Sequence, residues 1–170
     1  DDPAGQAEIK KRCDWLNAPW KKSEANESFP QLCKHCQDNG FTTAVLLGMG
    51  GSSLAPEVLR LVNGITANGK FNGMDLIVLD STDPGQVLAT SQQAPVEKTL
   101  FIVSSKSGGT AEVNAFLDYF WQKCVDAFGK KAGEHFIAIT DPGTKLEEVA
   151  KGKGFWQVFA GDPMVGGRNS

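Results

Sequence analysis

Five short apolar runs, at residues 43–47, 76–79, 99–103, 136–139 and 155–159, punctuate the chain from residue 42 onward. A strand covered on one face alternates polar with apolar residues, whereas a strand covered on both faces reads as an unbroken apolar run. Helix-period segments lie between the runs. Val113, Phe116, Leu117, Phe120, Cys124 and Phe128 recur with the spacing of one long helical stripe, and residues 54–62 and 87–92 are shorter candidates. Strand alternating with helix predicts an α/β fold: a five-stranded, parallel, doubly wound sheet with right-handed crossovers and helices on both faces. Residues 5–16 and 28–39 read as two leading helices. The expected division is therefore a leading helical segment, 1–40, packed on a domain formed by 41–170.

Local signals mark where helices begin. Thr144-Lys-Leu-Glu147 is a capping box, in which threonine and glutamate side chains satisfy free amides of the first turn. The tetrapeptide Thr-Asp-Pro-Gly follows a strand twice, at 82–85 and 140–143. Aspartate can cap a helix and proline can fill its first position, which predicts the same turn chemistry at both sites.

Composition narrows the function. With 170 residues the chain can bury a full core. A net charge of −3 and no basic run longer than Lys10-Lys11-Arg12 argue against a nucleic-acid surface. No apolar run approaches the ~20 residues that span a bilayer, which argues against a membrane. The first residues lack a basic segment followed by an apolar one, so a cytoplasmic location is expected, with Asn26-Glu27-Ser28 an unused sequon. The C-x-x-C at Cys33 and Cys36 precedes the first strand, where a thioredoxin-like pair would follow one. No second ligand pair accompanies it, and ordinary reduced cysteines on a helix are expected.

In doubly wound sheets ligands bind outside the carboxyl ends of the strands, so the loops behind the runs matter most. Behind the first comes GMGGSS, where Gly48, Gly50 and Gly51 admit close approach and Ser52 and Ser53 offer hydroxyls at a helix start. A dinucleotide fingerprint would need glycine in place of Ser53, with Asp80 the candidate ribose acid, and a P-loop would need a lysine that is absent. Behind the third run comes SSKSGGT, residues 104–110. Ser105, Ser107 and Thr110 supply hydroxyls, Lys106 adds charge, Gly108 and Gly109 are expected to expose amides, and the long helix aims its positive end at the same spot. That set suits a phosphate monoester. No G-x-S-x-G elbow exists, and His35 and His135 are badly placed for a serine triad.

The segments GMGGSSLAPEVL and LFIVSSKSGGTAEV, with the closing VGGRNS, resemble the two sugar-phosphate loops and the GGR-x-S segment of the glucose-6-phosphate isomerase family, specifically its first sugar isomerase (SIS) domain. The opening DDPAGQAEIKKRCDWL resembles the stretch ahead of the isomerase half in bifunctional transaldolase/isomerase chains. The resemblance implies a SIS, flavodoxin-like three-layer sandwich. It implies that Gly51 and Ser52 touch the sugar phosphate, that Ser105, Lys106, Ser107, Gly108, Gly109 and Thr110 form the phosphate cradle, and that Arg168 stabilises a developing enediolate. Gly108 and Gly109 stand where the family more often has side chains. The family's glutamate base, histidine and lysine lie downstream of the arginine, so a fragment that binds hexose 6-phosphate without turning it over is expected; Glu112, the nearest acid to the cradle, is expected only to favour the helix dipole. No cofactor or metal is implied, and the partners implied are a second SIS domain and, in the full enzyme, a second copy. A sugar-phosphate sensor module and a nucleotide-binding domain using Asp80 are the competing readings.

Overall fold

All five apolar runs pair into one parallel sheet of order β2-β1-β3-β4-β5, built from β1 (Thr43–Gly48), β2 (Asp75–Leu79), β3 (Thr99–Ser104), β4 (Phe136–Thr140) and β5 (Gln157–Ala160). The computed structural model describes residues 2–20, 25–63 and 73–167. Among the described residues six α-helices accompany the strands: α1 (Pro3–Lys10), α2 (Ala25–Asp38), α3 (Gly51–Asn63), α4 (Pro84–Gln93), α5 (Ala111–Phe128) and α6 (Lys145–Gly152). The crossover from β1 to β2 runs one way along the sheet, and the later ones run the other. With right-handed crossovers α3 falls on one face and α4, α5 and α6 on the other. The order reverses between β1 and β3, the position at which an open α/β sheet leaves a crevice for ligand.

Residues of β3 alternate between two cores. Phe101 and Val103 join Val45, Leu47, Phe136 and Ala138 beneath α5 and α6, whereas Leu100 and Ile102 face Cys36 and Leu32 of α2. Phe101 is fully buried between Phe120 of α5 and Phe136 of β4, with ring centroids 4.8 and 5.0 Å away. Burying such a ring contributes about 1.5–3 kcal/mol, and the offset aromatic contacts add to it. Five residues of the predicted stripe on α5 are buried and Phe128 is partly so.

Three details differ from the expectations. The first leading helix ends at Lys10 and not near residue 16, because Cys13 leaves helical geometry to bridge Val165 and a 3₁₀ segment, Asp14–Trp20, follows. The fifth strand starts at Gln157: Phe155 closes the end of α6 through its amide to Ala150 O at 2.9 Å, and Trp156 stacks on His35 with 4.4 Å between centroids. The two Thr-Asp-Pro-Gly segments also part ways. Asp83 caps α4 by accepting from Gln86 N at 3.0 Å. After Asp141 no helix begins until Lys145, because Thr144 takes the cap by accepting from Glu147 N at 3.3 Å.

His35 and His135 lie at the amino-terminal end of the sheet, away from the loops behind the strands. His135, directly before β4, stacks on Phe128 at 4.1 Å, and its Nδ1–H donates to Thr99 O at 3.2 Å. Burial holds the imidazole below its ordinary pKa of 6.5, against the opposing pull of the Thr99 carbonyl. The unfolded chain therefore takes up the proton first as pH falls, so stability declines from about pH 6.5 downward until the folded imidazole also titrates. The melting temperature between pH 7 and pH 5 is expected to fall with a slope that His135→Asn makes shallower by up to one proton. An unchanged slope in the variant would show that His135 is not the group responsible.

Candidate functional site at the strand exits

Parallel pairing sets Gly48, the last residue of β1, opposite Ser104, the last of β3, so the two glycine- and serine-rich loops leave the sheet side by side. Behind β1, Gly50 takes a φ of +55°, a conformation that favours glycine. Ser53 is buried and donates to Gly50 O at 3.0 Å, which makes it part of the turn. Ser52 instead lines the cleft described below. Gly51 is the first residue of α3.

Behind β3 the hydroxyls are organised among themselves. Ser105, 3% exposed, has its Oγ 3.1 Å from Thr110 Oγ1 and accepts from Gly108 N at 3.2 Å. Ser107 Oγ accepts from Gly109 N at 3.3 Å. The amides of the glycine pair are therefore bonded inside the loop and not bare, as the buried Gly108 donor requires. Thr110 is the N-cap of α5, yet its side chain makes no capping bond. With its hydroxyl turned to Ser105, the first turn of an 18-residue helix carries its positive end toward this loop without a side-chain cap. Glu112 lies in that first turn.

Gly108 shows why side chains are missing here. Its φ is +67°, and a Cβ would lie 2.7 Å from Leu146 N and 3.2 Å from Thr144 Cβ, so the loop rests directly on the first turn of α6. Gly109 is unlike it: a Cβ would meet only Ser107 Oγ, at 3.8 Å.

Lys106 belongs to the same loop but turns aside. Its ammonium is 2.6 Å from Asp141 Oδ2 and 3.1 Å from Asp162 O, where it joins the exits of β3, β4 and β5. A cleft of about 160 Å³ opens there, lined by Ser52, Ser104, Lys106, Thr140, Asp141 and Asp162 among others. The structure thus gathers Ser105, Ser107, Gly108, Gly109 and Thr110 in one loop and brings Ser52 and Lys106 to one cleft. Arg168 lies outside the described residues. The segment leading to it is anchored: Val165 bridges Cys13, Asp14 N donates to Met164 O at 3.1 Å, and a Cβ on Gly166 would lie 3.0 Å from Arg12 Cγ. Sequence reasoning passed over Asp141 because its only local signal, a Thr-Asp-Pro-Gly turn, reads as a helix cap.

A family model described as phosphoglucose isomerase matches residues 33–170. The chain is 35% identical to a glucose-6-phosphate isomerase of Prochlorococcus marinus over 136 residues, 79% of this chain and 25% of that protein. A crystal structure of a hypothetical protein from Thermus thermophilus superposes with a TM-score of 0.76 at 29% identity, covering 94% of this chain and 36% of that one. A glucose-6-phosphate isomerase from Chlamydia trachomatis gives 0.66 at 25% identity, covering 88% and 29%. The chain spans about a quarter of the length of the curated relatives it matches.

The glycine pair gives a direct check on this geometry. Gly108→Ala combines a left-handed backbone with an overlap on α6 and is expected to destabilise by about 2–3 kcal/mol. Gly109→Ala should stay within about 0.5 kcal/mol. Denaturant midpoints measure both, and equal effects would contradict the placement of the loop on α6.

Proposed function

The chain belongs to the phosphoglucose isomerase family, and from that membership we propose that it is the N-terminal sugar-phosphate-binding domain of a glucose-6-phosphate isomerase. Full-length, such an enzyme interconverts glucose 6-phosphate and fructose 6-phosphate through a cis-enediol. The observation that supports the reading most is the paired hydroxyls of Ser105 and Thr110, 3.1 Å apart at the uncapped start of α5. A phosphate dianion placed there accepts hydrogen bonds from the hydroxyls of Ser105, Ser107 and Thr110, from the main-chain N–H groups of Lys106 and Ser107, and from the first turn of the helix. Gly51 and Ser52 approach it from the neighbouring exit. Each charge-assisted bond contributes about 1.5–3 kcal/mol, so four or five hold a small phosphate ester at micromolar to millimolar levels once association costs are met.

The cleft beside Ser52 and Lys106 receives the polyhydroxy part of the ester. Arg168 stabilises the charge that develops on the enediol oxygens. The resemblance assigns the proton-transferring base, and the groups that open the ring, to the remaining length of such enzymes, so this chain binds and orients while another SIS domain completes the chemistry. A homodimeric full-length enzyme working in the cytoplasm without metal or organic cofactor follows from the same reading. Among the described residues no helix is long and apolar enough to cross a membrane.

Amide resonances titrated with fructose 6-phosphate, inorganic phosphate and NAD test the proposal. Residues 105–110 should shift with the sugar phosphate and stay unmoved with NAD. Shifts centred on Asp80 with NAD would favour nucleotide binding instead. Thr110→Ala is expected to weaken fructose 6-phosphate by about 1–3 kcal/mol, and an unchanged affinity by calorimetry would remove the hydroxyl cradle from the account.

A further inference from the structure

We propose that Asp141 is a positioning residue for the phosphate loop: by holding Lys106 from the next strand exit, it sets the direction of the main chain from Ser105 to Thr110. The inference rests on the phosphate-binding role proposed for that loop. An ammonium inside a dianion-binding loop would ordinarily be aimed at the dianion. Here Lys106 Nζ sits 2.6 Å from Asp141 Oδ2 and 3.1 Å from Asp162 O, with only 32% and 17% of the Lys106 and Asp141 side chains exposed.

The main chain is held at the same place. Lys106 O accepts from Asp141 N at 3.2 Å and from Thr140 Oγ1 at 3.3 Å, and Ser105 N donates to Ile139 O at 3.1 Å. No peptide bond of the described chain is cis. In a trans peptide the carbonyl and the next N–H point to opposite sides. Pinning Lys106 O toward Thr140 and Asp141 therefore turns the Ser107 N–H the other way, off the β4 exit. Asp141 can reach Lys106 because Gly161 leaves it room: a Cβ there would lie 2.7 Å from Asp141 Oδ1. Thr140 Oγ1 also meets Thr144 Oγ1 at 2.8 Å, and Thr144 caps the helix on which Gly108 rests. One stretch, 140–146, thus grips the loop at Lys106 and at Gly108.

Charge and positioning predict opposite signs. A carboxylate near an anion site that acts only by its charge repels the anion, so Asp141→Asn would tighten binding. A carboxylate that positions the loop does the reverse. Calorimetric titration of the 170-residue chain with fructose 6-phosphate and with inorganic phosphate is expected to show about tenfold weaker binding of both in Asp141→Asn and in Lys106→Met. The double variant should be no weaker than the poorer single one, because one interaction is lost in each, and Asp141→Glu should recover part of the affinity. Tighter or unchanged binding in Asp141→Asn, or losses that multiply in the double variant, would overturn the proposal. Should Asp141→Asn fail to fold, Lys106→Met is titrated at low and at high salt: a loss of about tenfold that persists at high salt in a variant melting near the parent temperature supports positioning, whereas parental affinity, or a loss that salt abolishes as it would a bare charge effect, overturns the proposal. If Thr110→Ala loses affinity and Asp141→Asn does not, the cradle stands and the positioning role is gone. If the parent chain binds neither ligand, both are gone.

Discussion

The lateral register of β1 on β3, from Thr43 opposite Thr99 to Gly48 opposite Ser104, decides where both loops of the candidate site leave the sheet. In this pair both strands end at one level, and the chain order places the reversal of direction between them. The glycine-rich turn into α3 and the serine-rich loop into α5 therefore share a ledge. A shift of the ladder by one residue would exchange the two cores as well as separate the loops, since Phe101 and Leu100 belong to opposite faces. The core that holds Phe101 against Phe120 and Phe136 is thereby also what keeps the candidate site in place.

Sheet and helices were legible in the sequence where burial on both faces left unbroken apolar runs. They were less legible where an apolar residue serves something other than the ladder. Phe155 and Trp156 extend the fifth run, yet one closes α6 and the other stacks on His35, so the strand begins later than its hydrophobicity suggests. Cys13 ends a helix early for a partner more than a hundred residues away, and no local pattern announces such a bridge. The hydroxyl cluster of Ser105, Ser107 and Thr110 could be read directly, because residues so close in sequence meet through local turn geometry. Which amides they satisfy could not be read, since that depends on how the loop closes.

The two Thr-Asp-Pro-Gly segments show where local reading stops. Behind β2 the aspartate does what its neighbours predict and caps a helix. Behind β4 an identical tetrapeptide is followed directly by Thr144, which takes the cap and leaves Asp141 to meet Lys106 of the neighbouring strand exit. Composition and spacing are the same in both, and the difference is competition for the first-turn amides. Membership of the phosphoglucose isomerase family is the ground for the role proposed for the loops, but the contact between Asp141 and Lys106 emerges only from distances.

The seat of Gly108 on the first turn of α6 has one more consequence. With no gap wide enough for a methyl group between them, the loop packs directly against the helix beneath it at Gly108. For the phosphate role proposed above, this means that the loop is ordered when the domain folds and not when an anion arrives, so association carries little ordering penalty. The proposed cradle would then be a preorganised socket, not a flap.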